Sequence, residues 1–202
     1  MSKSTVEEIK QRFDKDVERF ANVDTGQVST IDASLSLELI TEAAKRIVPG
    51  ATHVLDIGCG AGNFTIKMLS KVSNLACTLV DLSRPMLDKA LERVKAHTDK
   101  EVSIFQGDIR EVELPANGFD IILAGAVLHH LRDDKDWVTT FTKLYQLLKP
   151  NGCLMISDLI TQDTAILNDY TWERYGDYLE SVGGKTYRQD VLAYVAKEDS
   201  PR

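Results

Sequence analysis

The run Thr52-His53-Val54-Leu55-Asp56-Ile57-Gly58-Cys59-Gly60-Ala61-Gly62-Asn63 constrains the fold more than any other stretch of this chain. Its apolar first half, Thr52 to Ile57, reads as a buried parallel strand. The strand runs directly into glycines at every second position and then into a helical pattern. A strand-to-helix turn this tight needs residues without a Cβ, because the backbone must adopt positive φ and let a ligand approach closely. The spacing also excludes a ligand class. The dinucleotide fingerprint G-x-G-x-x-G, begun at Gly58, needs its third glycine at position 63, where Asn63 stands. Asp56, two residues before the first glycine, is expected at the loop mouth, where a carboxylate repels a pyrophosphate and attracts an ammonium group. The loop therefore points to a nucleotide that bears an amino acid.

From Thr52 to Asp158, strand-like runs alternate with amphipathic helical patterns, which predicts βαβ units and an α/β fold with a parallel sheet covered on both faces. Strands are predicted over Thr52–Ile57, Ala76–Val80, Val102–Phe105, Phe119–Leu123 and Cys153–Ser157. Before them, Thr5 and Glu8 form a capping-box pattern that opens a helix to about Ala21. A turn-prone segment, Asn22 to Thr30, precedes a second helix over Ser36–Ile47. Ser83 is expected to cap a helix with Pro85 in its first turn, and Asp133 or Asp134 to cap the next. Lys149-Pro150-Asn151-Gly152 reads as a turn. The tail from Thr161 reads as helical with a break at Gly183-Gly184. The segments expected are an N-terminal helix and lid-like stretch over 1–33, a nucleotide-binding core over 34–160 and a helical segment over 161–202.

With 202 residues and 43% hydrophobic content, the chain can bury one substantial core. No apolar run approaches the ~20 residues of a membrane helix, and the charged start, Met1 to Lys15, is unlike a secretory signal. Cys59, Cys77 and Cys153 lack metal-ligand spacing; reduced thiols in a cytoplasmic protein are expected, and no metal site. The net charge of −7, without a basic cluster, argues against a large nucleic-acid footprint.

In an open parallel sheet, ligands bind at the carboxyl ends of the strands. Polar residues stand at those ends: Asp56 and the glycine loop, Asp81, Gln106-Gly107-Asp108-Ile109, and Ala124 leading into His129-His130. An acid placed like Asp81 suits two ribose hydroxyls, and Asp108 could accept a hydrogen bond from an exocyclic amine. The histidines read either as a general-base pair, since imidazole titrates near neutral pH, or as packing and loop-ordering groups; catalytic residues are otherwise unassigned. Tyr170, Trp172, Tyr175 and Tyr178 are divided between core and pocket wall.

Val54–Gly62, Val80–Leu87, Gln106–Ile109, Phe119–Leu131 and Leu148–Asp158 together resemble the class I S-adenosylmethionine-dependent methyltransferases, in order over residues 35–158. The resemblance implies a Rossmann-like doubly wound sheet in the order 3-2-1-4-5, with S-adenosyl-L-methionine as methyl donor and S-adenosyl-L-homocysteine as product. It places Asp56, Gly58, Cys59 and Gly60 along the methionine moiety, with backbone near Ala124 at its ammonium. Asp81 would hold the ribose, Leu82 would lie against the adenine, and Asp108 and Ile109 would address the adenine edge. Met86 is counted with the cofactor-binding residues, although its helical stripe also suits the core. The tail resembles a narrower group related to ubiquinone/menaquinone C-methyltransferases and, distantly, to carboxy-S-adenosylmethionine synthase. A small-molecule methyl acceptor is expected; a synthase-like enzyme and a non-catalytic, partner-dependent cofactor-binding subunit are the alternatives. In this family the sheet ends with an antiparallel strand pair, yet the sequence stops at Ser200-Pro201-Arg202 with that pair still ahead. An uncovered edge invites pairing, so dimerisation or lowered stability is expected.

Overall fold

A computed structural model describes residues 3–22 and 26–201. The expected parallel sheet is present. Five strands, β1 (His53–Ile57), β2 (Ala76–Asp81), β3 (Val102–Gln106), β4 (Phe119–Gly125) and β5 (Leu148–Ser157), lie in the order β3-β2-β1-β4-β5. Every pairing is parallel. Among the described residues no antiparallel strand follows β5.

Strands in such a sheet are buried on both faces, so their sequences read as continuous apolar runs whose alternate residues serve two different cores. Val54, Leu79, Ile121 and Leu123 face one layer. Against them pack Leu37 and Ala44 from α3 (Ala33–Ile47), Met68 and Leu69 from α4 (Asn63–Lys71), and Leu87, Ala90 and Val94 from α5 (Arg84–Lys95). Leu55, Ile57, Val80, Ile122 and Ala124 face the other layer, with Leu144 and Leu147 from α6 (Asp134–Leu147). Crossovers on both sides of β1 put the sheet's order reversal between β1 and β4, where the carboxyl ends of both strands converge.

The predicted caps form. Ser83 Oγ accepts the Met86 N–H at 3.3 Å and Asp133 Oδ1 accepts the Asp136 N–H at 2.9 Å. At the N-terminus the capping box closes, with the Glu8 N–H on Thr5 Oγ1 at 3.3 Å and the Thr5 N–H on Glu8 Oε2 at 2.8 Å. The single helix expected to Ala21 is instead two, α1 (Val6–Asp14) and α2 (Val17–Ala21). The break at Lys15-Asp16 folds the segment back so that the Phe13 and Phe20 rings meet at 5.4 Å, an arrangement that one straight helix would keep about two turns apart. The Asn22 to Thr30 turn lies partly outside the described residues, as does Arg202.

Lys149-Pro150-Asn151-Gly152 does not separate α6 from β5 as a free turn. Phe119 pairs with Leu148 and Ile121 with Cys153, so the turn residues are a bulge within the β5 span, with Asn151 at φ 67°. The last helix, α7 (Ala165–Glu198), is kinked at Gly184, where the sequence places its break.

Candidate functional site

The glycine loop has the geometry its sequence demands. Gly58, Gly60 and Gly62 sit at φ 61°, 51° and 82°. A Cβ on Gly58 would stand 2.4 Å from Val127 Cγ2, so the loop after β1 and the loop after β4 touch at a point where no side chain fits. A Cβ on Gly60 would meet nothing within 4 Å, so its backbone fronts open space that a ligand can enter. The Cys59 N–H donates to Val80 O at 3.1 Å, tying the loop to β2. The Cys59 thiol is buried, and burial pushes its pKa well up, which leaves it unreactive.

Two carboxyl groups organise this turn differently from each other. Asp81 accepts the Gly60 N–H at 2.8 Å and the Ser83 N–H at 2.9 Å, so it holds the loop and α5 in register. Burial holds its pKa above the usual carboxylate range in spite of those N–H groups. Asp56, expected at the loop mouth, is 1% exposed, and its Oδ2 accepts the Thr65 hydroxyl of α4 at 2.6 Å. Burial pushes it to about 7. The group that would repel a pyrophosphate at the mouth is therefore sequestered beneath it. Met86, at 1% exposure, is core, as its stripe requires, and presents no surface to a ligand.

Beyond β3, Asp108 is gripped by Arg110, whose Nε and Nη2 reach the two carboxylate oxygens at 3.0 and 2.5 Å. Burial raises its pKa, but the Arg110 hydrogen bonds outweigh this and the net shift is downward. Arg110 also reaches Asp136 of α6 at 2.5 Å. Ile109 and Ala124 are buried, and Leu82 is half-buried with its carbonyl accepting Gln106 Nε2 at 3.1 Å.

Helices α1 and α2 lie across this end of the sheet. Ser83 Oγ donates to Asp14 Oδ1 at 2.5 Å, and Asn63 Nδ2 donates to Phe20 O at 2.9 Å. The lid-like stretch thus docks on the glycine loop itself. Asn63, read from the sequence as a missing glycine, is the residue that fastens it.

After β4 the chain enters a short helical turn, Leu128–His130, through Ala126 at φ 52°, a strained backbone of the kind that collects at functional sites. Asp158, just past β5, organises it. One carboxylate oxygen accepts the N–H groups of Val127, Leu128 and His129 at 3.0, 2.7 and 3.3 Å; the other lies 2.5 Å from His129 Nδ1. Burial lowers the His129 pKa, Asp158 raises it more, and the net shift is upward. His130 is pushed down to about 3 by burial and then by His129, so it stays neutral. Its ring meets Phe13 edge-on at 6.1 Å. From the end of α7, Asp199 arrives with Oδ1 at 3.8 Å from His129 Nε2 and 3.9 Å from His130 Nδ1. Sequence reading stopped at the two histidines. Asp158 closes a motif already singled out and could have been found as an acid at a strand's carboxyl end; no local signal marks Asp199. Of the aromatic cluster, Tyr175 and Tyr178 donate to the carbonyls of Ser29 and Val28 at 3.0 and 2.8 Å, while Tyr170 is exposed.

The profile of a family described as a methyltransferase domain matches residues 54–152. The malonyl-[acyl-carrier protein] O-methyltransferase of Priestia megaterium is 32% identical over 63% of this chain and 44% of its own length. The carboxy-S-adenosyl-L-methionine synthase of Actinobacillus pleuropneumoniae is 30% identical over 68% of this chain and 59% of its own. The chain thus spans about half the length of these relatives. Among solved structures, the N-methyltransferase NodS of Bradyrhizobium japonicum, in complex with S-adenosyl-l-homocysteine, superposes with a TM-score of 0.58 at 23% identity, covering 72% of this chain and 70% of that one, which shows the shared fold. The glycine loop, the strand order and these matches agree: residues 54–152 match a methyltransferase-domain family, on the same fold as a solved methyltransferase that holds S-adenosyl-l-homocysteine.

Proposed function

We propose that the protein binds S-adenosyl-L-methionine across the carboxyl ends of β1, β2 and β4 and transfers its methyl group to a small-molecule acceptor. The observation that carries this reading is the junction of Gly60 and Asp81. Gly60 fronts open space, and Asp81, fixed by two backbone N–H groups, keeps acceptor lone pairs for a pair of ribose hydroxyls. Gly58 and Cys59 would present backbone to the methionine moiety, with Leu82, Asp108 and Ile109 about the adenine. When bound, the cofactor supplies a sulfonium-activated methyl group, so the chain's own work is to hold, orient and keep dry. The lid of α1 and α2 excludes water, and the His129-His130 turn walls the acceptor side.

Calorimetry with S-adenosylhomocysteine tests this. Binding is expected for the parent protein, and Asp81→Ala should weaken it about tenfold to a hundredfold, the worth of hydrogen bonds to a charged group. No binding by the parent, or equal affinity in the variant, refutes the assignment.

The 30% identity with a carboxy-S-adenosyl-L-methionine synthase supports a second reading, in which the cofactor is itself carboxylated; an enzyme of that kind would serve tRNA wobble-uridine modification. Mass spectrometry of the nucleoside that copurifies separates the two, because a carboxylated cofactor is heavier. A cofactor-binding subunit without turnover is the third. Cytoplasmic placement fits the three free cysteines, and among the described residues no helix is long and apolar enough to cross a membrane. A homodimer built on the outer edge of β5 fits a strand that pairs on one side only among the described residues; a monomeric sedimentation coefficient would exclude it.

A further inference from the structure

His129, His130 and Asp199 bring three metal-ligating atoms together, all within 4.8 Å of one another. The arrangement is costly as it stands. Asp199 is 7% exposed, and among the described residues neither its Oδ1 nor His130 Nδ1 has a hydrogen-bond partner. Buried polar atoms without partners are destabilising, and here two of them face each other at 3.9 Å, too far to bond directly. The third atom sharpens the conflict. Asp158 takes the Nδ1 side of His129, which leaves Nε2 facing the Asp199 carboxylate at 3.8 Å. Three potential ligand atoms thus converge on one point, two of them without a partner, and a cation there would satisfy all three.

We propose that His129 Nε2, His130 Nδ1 and Asp199 Oδ1 bind a divalent transition-metal ion of the zinc class. Two imidazoles and one carboxylate suit zinc, cobalt and nickel. Tetrahedral zinc at ~2.0–2.1 Å from its ligands spaces them about 3.3–3.5 Å apart, so the two separations to Asp199, 3.8 and 3.9 Å, need to close by about half an ångström. The carboxylate of Asp158 behind His129 is the outer-shell partner that metal-binding histidines almost always have, and it fixes the tautomer. Three protein ligands leave a fourth position open. Binding of the ion stands independently of the methyl-transfer reading. The use of the open position rests on that reading: an acceptor oxygen or nitrogen bound there would shed its proton at lower pH and present a better nucleophile. The ion would also clamp the end of α7 to the loop after β4.

The test is metal binding by the full chain after chelator treatment and dialysis. Zinc calorimetry should give about one site per chain, and cobalt should show the intense visible absorption of a tetrahedral ion. Asp199→Asn and His130→Gln should each weaken zinc at least tenfold, and Asp158→Asn, which leaves all three ligands in place, by about 10–100-fold. Circular dichroism confirms that the variants fold. Where one does not, X-ray absorption on the cobalt-loaded parent counts two imidazoles in the first shell. No stoichiometric binding, as expected if water fills the point, overturns the proposal, and so does an affinity that both substitutions leave unchanged. S-adenosylhomocysteine calorimetry on the same parent sample reports the nucleotide site separately, so failure of one reading is distinguishable from failure of the other.

Discussion

Asp56 shows how far a single side chain can depart from its sequence reading. At the end of β1 its backbone is where the motif requires, but the carboxyl turns under the loop to Thr65 instead of toward the mouth. In the unfolded chain it titrates near 3.8; burial moves it to about 7 in the fold. Between those values the folded protein holds a proton that the unfolded chain has lost. The stability tied to that proton is fully present below the unfolded value and is lost as pH rises through about 7. Asp56→Asn keeps the shape and the acceptor for Thr65 without the titration. Its melting temperature should match the parent's near pH 4 and exceed it increasingly toward pH 8, with up to about 4 kcal/mol at stake. A gap that does not change with pH would show that the carboxyl is not the buried proton carrier described here. The glycines give a second residue-scale test. At Gly58 an added Cβ collides with Val127, so Gly58→Ala should lose the clash cost on top of about 1–2 kcal/mol for its left-handed backbone. At Gly60 only the backbone cost applies, because the new methyl enters open space. Gly60→Ala should therefore stay folded yet bind S-adenosylhomocysteine at least tenfold more weakly, and retained affinity would mean that the ligand does not approach there.

At the scale of elements, the turn after β4 depends on a residue from another strand. Asp158 satisfies the N–H groups of Val127, Leu128, His129 and Leu159 and holds a histidine ring as well. Asp158→Ala leaves those donors facing a void and should cost about 2–4 kcal/mol in urea denaturation, with Asp158→Asn in between; a loss under about 1 kcal/mol would mean that water replaces the carboxylate freely. The strands and most helices around this turn were legible because each is written locally. Val54 and Leu55 are apolar on consecutive residues since both faces of β1 are buried, and Ser83 and Asp133 cap their helices within three residues of themselves. The residues at 149–152 are turn formers, and only the pairing of their neighbours Leu148 and Cys153 with Phe119 and Ile121 draws them into β5 as a bulge. The break between α1 and α2 has no local signal for a similar reason: it is fixed by where Phe20 docks, on Asn63 of a distant helix. Within the site, Asp81 was legible from its strand end, whereas Asp199 reaches the histidines only through the path of a kinked helix.

At the scale of the whole molecule, the two ends of the described chain meet beside the His129-His130 turn, and Arg132 joins them. Its Nη2 donates to Ser4 O at 2.9 Å and its Nη1 to the carbonyl of Glu198. Ser4 in turn donates its N–H and hydroxyl to the Glu198 carboxylate at 2.8 and 2.9 Å, and Lys3 Nζ donates to Asp199 O at 2.7 Å. The Ser200 N–H closes the ring on His129 O at 2.8 Å. The arginine contributes more than its charge, because it satisfies carbonyls from both ends of the chain at once. Losing it should free the two segments together, as one cooperative opening, while the sheet stays shut. In Arg132→Ala, amide exchange should therefore speed up in parallel over residues 4–14 and 195–200, with β1 and β4 unaltered. Faster exchange in one segment alone would show that the ends close the site independently, and unchanged exchange in both would show that the Ser4–Glu198 contact suffices without the arginine.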